Sequence, residues 1–428
     1  MAQAKAIEAA AARIDGLALP PSRGWGRAAR EKALARLRAM GLPVRRDEYW
    51  RFTDPAPFND SQPPQVPLFD AHGDTPIFGR VARTRLVFVD GIFHPEASDV
   101  PDGAGLEIMR LSEAMATDIH WARDLYGTLE AAGQMPVKRP FAALNTAAAS
   151  DGMVIRVTGK IERPVAFVYL QGAEQGDASL HHLIRVEPGA ELTVLESGPG
   201  AARFNKCIEV DVAEGGRFHH VRAQGRAPER RAITHVFARM AAQSVLKSFT
   251  MTVNGRMTRN EFVIDFQGDN AVAHVAGAAL GEAGFHHDDT VFVTHDALAC
   301  ESRQVFKKVL RNGATGVFQG KILVREGAQK TDGYQKSQAL LLDGDSQFLA
   351  KPELEIYADD VACSHGSTTG ALDEGALFYL RSRGVPRDEA ADLLVLAFLA
   401  EAIDEIDSDI IRGELLNRLE SWLVGQRG

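Results

Sequence analysis

Cysteine is scarce in this chain of 428 residues: Cys207, Cys300 and Cys363 stand far apart, with no Cys-x-x-Cys pair. That excludes a disulfide framework and a self-contained thiolate cluster site, and it fits a reducing compartment. Basic residues are outnumbered, Lys+Arg 48 against Asp+Glu 57, and the net charge of -9 argues against a general nucleic-acid binder. Long apolar runs are missing as well. The most apolar window, Leu393 to Ala400, is bracketed by Asp392 and Glu401 and falls far short of a bilayer span. Charges at Lys5, Glu8, Arg13 and Asp15 interrupt any signal-peptide core, so the expectation is a cytoplasmic protein with no membrane partner.

Enzyme signatures are also lacking. Gly313-Ala-Thr-Gly316-Val-Phe-Gln-Gly320-Lys321-Ile322 superficially suggests a phosphate loop. Only three residues separate Gly316 from Gly320, and Ile322 stands where a hydroxyl must hold magnesium, so the stretch reads as a strand pair with a glycine turn. There is no Gly-x-Ser-x-Gly, no His-Glu-x-x-His and no carboxylate pair that spacing singles out. A β-helix enzyme acting on polysaccharide is the rival from another class.

What is present divides the chain into four regions. Residues 1–84 hold a helical lead-in, broken at Pro20-Pro21 and closed by Gly41 and Pro43, then a proline-rich connector. Residues 85–151 bring short strands and a helix. Residues 152–371 carry closely spaced apolar-alternating runs such as Val165 to Leu170, Phe262 to Phe266 and Gly316 to Val324. Many short strands without intervening helices predict a mainly β unit, and its length favours the stacked coils of a parallel β-helix over a jelly roll. Residues 372–428 turn helical again. Between Asp388 and Ile410, Leu393, Leu396, Ala400, Ile403 and Ile406 line one face of an acidic segment without a basic residue. That stripe packs either on its own β unit or on a separate partner.

Four sets of residues invite chemistry. Cys363 and His365 form the only Cys-x-His, at a strand-to-helix boundary, and in a strand they share a face about 7 Å apart at Cα. A thiolate beside an imidazole suits iron or zinc, but a closed metal site normally takes four ligands and no further Cys or His lies nearby. The bland alternative is a small core thiol beside a hydrogen-bonded imidazole. His286-His287-Asp288-Asp289 leaves at most His287 and Asp289 together by alternation, with His295 reaching them from the next rung, and a structural or turn role is favoured. Finally, nine basic residues against three acids between Arg23 and Arg51, with Tyr49 and Trp50, read as an ordinary solvated helix face rather than an RNA surface.

The motifs together resemble a known family. Gly41-Leu-Pro43, Asp47-Glu-Tyr-Trp-Arg-Phe-Thr-Asp54, Phe88-Val-Asp-Gly91, Phe318-Gln-Gly-Lys-Ile322, Gln329-Lys-Thr-Asp332, Lys351-Pro-Glu-Leu-Glu-Ile356, Cys363-Ser-His-Gly366 and Phe378-Tyr-Leu-Arg-Ser-Arg-Gly384 run through most of the chain. They are similar to the SufB/SufD scaffold family of the Suf iron-sulfur cluster assembly machinery. Ser364 and Gly366 around His365, and the absence of a cysteine near Ser337, place the resemblance on its SufD side.

The resemblance implies a right-handed parallel β-helix flanked by helical terminal regions, serving as a non-catalytic scaffold. It implies a SufB-like scaffold as heterodimer partner, and a SufC-like ATPase docked on the C-terminal helices through Leu393, Leu396, Ala400 and Ile403. His365, with Cys363 beside it, would contribute to cluster assembly at the partner interface. Iron or a nascent iron-sulfur cluster would be held there transiently and shared with the partner, with no cofactor bound stably by this chain alone. A third reading is a SufD-like homodimer acting alone, isologous through the same edge strands, with paired His365 residues facing each other.

Overall fold

The computed structural model describes residues 2–17, 19–20, 24–68, 76–101, 103–224 and 227–425. Pro21 and Arg23, used in the sequence reading, lie outside them. Helices α1 (Ala2–Asp15), α2 (Gly26–Met40) and α3 (Ala56–Asn59) come first. Strands β1 (Thr84–Val89), β2 (Ile92–Phe93) and β3 (Leu106–Arg110) follow, then helices α4 (Leu111–Ala116), α5 (Thr128–Ala132) and α6 (Pro140–Ala148).

From there the chain winds through β4 (Met153–Val157), β5 (Val165–Leu170), β6 (Asp177–Val186), β7 (Glu191–Ser197), β8 (Arg203–Val212) and β9 (Arg217–Gln224). It continues through β10 (Arg231–Met240), β11 (Val245–Val253), β12 (Met257–Phe266), β13 (Val272–Gly281), β14 (His286–His295) and β15 (Glu301–Leu310). The last coils are β16 (Thr315–Val324), β17 (Asp332–Leu341), β18 (Gln347–Ile356) and β19 (Ala362–Gly370), followed by α7 (Glu374–Ser382), α8 (Arg387–Ile403) and α9 (Asp409–Gly425).

Apart from the antiparallel pairing of β4 with β3 at the start of the stack, even-numbered strands from β4 onward pair with even, and odd from β5 with odd or β1, always in parallel. Consecutive strands therefore lie in opposite sheets, and each residue sits beside its equivalent one coil later, as Arg231 beside Met257 and Thr315 beside Gln347. This is a parallel β-helix, and it excludes the jelly roll, whose sheets are antiparallel. The glycine turn at Gly313 is a corner rather than the tip of a strand pair, because β15 and β16 belong to different sheets.

One corner repeats along the stack. Gly189, Gly215, Gln243, Asn270, Ala299 and Lys330 all adopt φ between 52 and 69°, and each donates its N–H to the carbonyl of the residue just before the equivalent corner of the next coil. A left-handed residue costs any side-chain-bearing amino acid about 1–2 kcal/mol, so the inter-coil hydrogen bond is what holds four of the six corners without glycine.

Alternation sorts the strand side chains. One face of each sheet points inward, where Phe167, Ile184, Val210, Phe262, Val293 and Phe318 form a continuous apolar core. The outer face of the even sheet is covered by the N-terminal region: Trp50, Phe58, Phe141 and Ile233 pack in one cluster, Tyr126, Leu183, Cys207 and Phe237 in another. Tyr49 and Trp50 are both buried there, so neither is free to stack on bases. The Tyr49 carbonyl accepts from Arg259 (2.9 Å) and Gln319 (3.1 Å), and the Lys351 ammonium lies 3.8 Å from the Tyr49 ring centre. The 47–54 motif thus staples successive even strands.

The outer face of the odd sheet is covered by the C-terminal helices. Val395, Leu399, Ala402 and Ile403 of α8, then Ile406, then Ile411, Leu415, Leu419 and Leu423 of α9, pack on Leu195, Val221, Phe249, Met251, Leu280 and Val309. Ion pairs fix this contact at its edge: Glu401 meets Lys307 and Lys336, and Glu405 accepts from His274 at 3.2 Å. Hydrogen bonds from Lys307 and then Lys336 hold the Glu401 carboxyl below its usual range, and the His274 hydrogen bond does the same for Glu405. A depressed carboxylate adds stability above its unfolded pKa of about 4.3 that disappears as pH falls through the folded value. The α8–α9 pair is therefore expected to loosen below about pH 4, before the coils themselves. Hydrogen exchange of residues 395–423 at pH 7 and pH 3.5 checks this, and equal protection of those amides relative to the coils would refute it.

Candidate functional site

The coils end at β18 and β19, each with one neighbour and one bare edge. A bare strand edge is a template for pairing with another chain unless something blocks it. The two edges differ. Gln347 at the start of β18 donates to Ala314 just before β16, and Tyr357 just after β18 donates to Val324 of β16, so the alternation of a parallel ladder aims position 352 outward, where proline has no N–H to offer. In β19, Ala362 donates to Thr331 of the preceding coil, which aims the backbone groups of Cys363, His365, Ser367 and Thr369 outward. No proline interrupts that row.

Within β19 the register sets Cys363 beside Gly333, His365 beside Gln335 and Ser367 beside Ser337. Cys363 and His365 share a parity. Cys363 is half-buried against Ile322, Leu354 and Val361, and Gly333 makes its room: a Cβ there would stand 3.2 Å from the sulfur. Burial raises the Cys363 pKa, so at neutral pH it is a thiol and not a thiolate nucleophile. His365 is exposed, with no side-chain partner among the described residues. Ser337 and Ser367 share a hydroxyl hydrogen bond of 2.7 Å.

Beneath His365 the column continues with Gln335 and Gln304, both buried, and both atoms of each side-chain amide lack a hydrogen-bond partner. Buried amides without partners are costly, so four such atoms under one exposed imidazole mark a polar shaft at the end of an apolar stack. Sequence reasoning missed both glutamines. The signal existed, since they precede His365 by one and two coil lengths, but it is visible only once the coil period is known.

The other candidates fall elsewhere. His286 points outward to Thr53 (2.9 Å), while His287 points inward to Lys308 (3.0 Å) and Asn260 (3.1 Å). Asp289 lies 3.5 Å from His287, but Lys308 occupies its other oxygen at 2.7 Å. His295 ends the same strand, β14, instead of reaching in from the next rung, and bonds Ser302 at 2.8 Å. Among the described residues no group of three or more His, Cys, Asp or Glu is placed to hold a metal ion.

On α8, Ile403 is fully buried against the chain's own odd sheet and Leu396 packs beside it, whereas Ala400 is intermediate and Leu393 is 45% exposed. The buried stripe is Val395, Leu399, Ala402 and Ile403. The 393–400 run is apolar all round, so its period could not choose the face. Among the described residues, the exposed large apolar side chains of the C-terminal helices are Leu393, Phe378 (72%) and Tyr379 (55%) on α7, and Ile410 at the start of α9.

Fold and edge together define the class: an elongated parallel β-helix protein with helices on both outer faces and one uncovered end. Residues 169–398 match the family model described as SUF system FeS cluster assembly, SufBD core domain. The chain belongs to the SufBD family. It is 27% identical to the iron-sulfur cluster assembly protein SufD of Escherichia coli (strain K12) over 92% of each chain. It is 26% identical to an iron-sulfur cluster assembly SufBD family protein of Synechocystis over 90% of this chain and 88% of that one. With the SufD protein of Bacillus subtilis it shares 27% identity over 65% of each.

The three cysteines should differ in reactivity. Burial raises the pKa of Cys207 well above the ordinary thiol value and raises that of Cys300, and both are nearly inaccessible. Native alkylation with iodoacetamide is expected to label Cys363 first, with a rate that climbs with pH beyond 9. Mass spectrometry showing Cys207 or Cys300 modified as fast as Cys363 would contradict the placement of the thiol on the terminal strand.

Proposed function

We propose that this chain is a SufD-type scaffold subunit of an iron-sulfur cluster assembly complex, non-catalytic and cytoplasmic. The observation that carries the reading is the uncapped β19 edge presenting His365, in a member of the SufBD family. The partner at that edge is a SufB-like scaffold, which adds its own strand to the outward backbone groups of Cys363, His365, Ser367 and Thr369. His365 then faces the partner as one imidazole of a shared site, where iron or a nascent cluster is cargo. Cys363, held inward as a thiol, contributes shape to the edge, and ligation comes mainly from His365 and the partner.

A SufC-like ATPase docks on the C-terminal helices. The family resemblance pointed to Leu393, Leu396, Ala400 and Ile403 as the docking face; Ile403 is spent on the chain's own sheet, so the available contact is Leu393 with Phe378 and Tyr379. Among the described residues, no helix is long and apolar enough to cross a membrane.

Co-expression with a SufB-like and a SufC-like protein tests the reading, with a stable assembly as the expected result. His365→Ala should leave that assembly intact but lower cluster yield about tenfold or more, as losses around metal sites do. Phe378→Asp should weaken ATPase binding by about 2 kcal/mol or more, measured by calorimetry, without altering the melting temperature of the free chain. A chain that purifies only as a homodimer, or a His365→Ala variant with normal cluster yield, would sink the proposal. Deleting residues from Asp388 onward is a poor test, because it strips the cover from the odd sheet.

A further inference from the structure

The interior of the coils is not apolar throughout. Midway along the stack, Glu196 accepts from Tyr169 (2.7 Å) and His220 (2.6 Å) and is paired with Lys206, all of them buried. Deeper in, Asp289 is held by Lys308 (2.7 Å) and Asn260 (2.9 Å). Those two carboxylates are committed. Two buried guanidinium groups are left beside them.

Arg222 feels the charges of Glu196 and Asp289, but among the described residues it donates hydrogen bonds only to the hydroxyls of Thr234 (2.6 Å) and Thr250 (3.3 Å), and its Nε has no partner. Arg230 is 1% exposed and, among the described residues, donates a single long hydrogen bond, to Thr258 Oγ1 at 3.4 Å, with Nε again without a partner. The charged neighbour acting on Arg230 is Arg222, of like sign. Burial lowers the Arg230 pKa to about 9, with the repulsion from Arg222 adding to it, so the group stays cationic at neutral pH. An uncompensated ion in a protein interior costs several kcal/mol, more than a weak bond to one hydroxyl returns.

Both guanidinium groups line one small cavity, together with Lys206, Gln224, Thr234 and Tyr169 and with the Glu196 carboxylate, so three cationic side chains face it against one anionic. It offers about 10 Å³ to the centre of a water-sized particle, which is room for one. Phosphate and sulfate are too large. We propose that the Arg222–Arg230 cavity is a binding site for one monovalent anion of about the size of water, a halide or hydrosulfide. The site stands on the geometry of this chain and does not rest on the scaffold reading. The anion accepts from the free N–H groups of both arginines and cancels the like-charge repulsion between them.

Bromide is the probe, because it is monatomic, monovalent and scatters anomalously. Crystals of the full chain soaked in bromide should show one anomalous peak between Arg222 and Arg230. In solution, replacing nitrate, which is larger than the cavity but has a general effect on proteins close to that of bromide, by bromide at constant ionic strength should raise the melting temperature along a saturating curve. Arg230→Met, which keeps the bulk and removes the charge, should abolish both effects. Competition distinguishes the sources: hydrosulfide displacing bromide more tightly than chloride identifies a sulfide site, and the reverse order a halide site. No peak in the wild-type crystal, together with indistinguishable bromide and nitrate melting curves, would overturn the proposal whether or not Arg230→Met folds.

Discussion

Parallel in-register stacking is the constraint on which the molecule depends. Each coil satisfies the backbone of the one before it, through ladders within the two sheets and through the chain of left-handed corners from Gly189 to Lys330. Such a stack has no way to close on itself, so both ends must be dealt with. At the N-terminal end the short antiparallel strands β2 and β3 terminate the sheets. At the other end nothing among the described residues pairs with β18 or β19 beyond the preceding coil. Pro352 blunts the first of these edges and the second is left bare, with His365 in the middle of it.

The two outer faces and the interior do different work. The even face is sealed by the N-terminal helices and stapled by the 47–54 motif, and the odd face by α8 and α9. With both faces largely covered, the terminal edge and the exposed side of α7 and α8 stand out as places where another protein can attach. The interior begins apolar, passes through a buried charged stretch around Glu196, Arg222 and Asp289, and ends in the partnerless amides of Gln304 and Gln335. Apolar packing would have been the cheaper filling for all of it. Polar groups kept at such cost point to ligands or partners absent from the isolated chain.

Much of this was legible in the sequence, for physical reasons. Alternating apolar runs without helices between them gave the β-helix, and alternation alone separated His286 from His287. The Cys363-Ser-His365 spacing correctly put both residues on one strand face and showed that a metal site there lacks ligands. Other features could not be read. The direction in which α8 turns was hidden because residues 393–400 are apolar on every side. The reach of His295 was misjudged because the strand is ten residues long and carries it away from Asp289. The roles of Gln335, Gln304 and Arg230 depend on which coil each is stacked upon, and the coil length varies from 26 residues (Arg231 to Met257) to 32 (Thr315 to Gln347), too irregular to count from one sequence.

The central claim is that β19 continues into another chain, and single-amide hydrogen exchange tests it most directly. In the isolated protein the N–H groups of Ser364, Gly366 and Thr368 are bonded to β17, while those of His365, Ser367 and Thr369 face outward. Binding of a SufB-like partner should slow exchange at the three outward amides by orders of magnitude and change the inward three little. If a stable assembly forms and the outward amides exchange as fast as before, the partner sits elsewhere and the account is wrong.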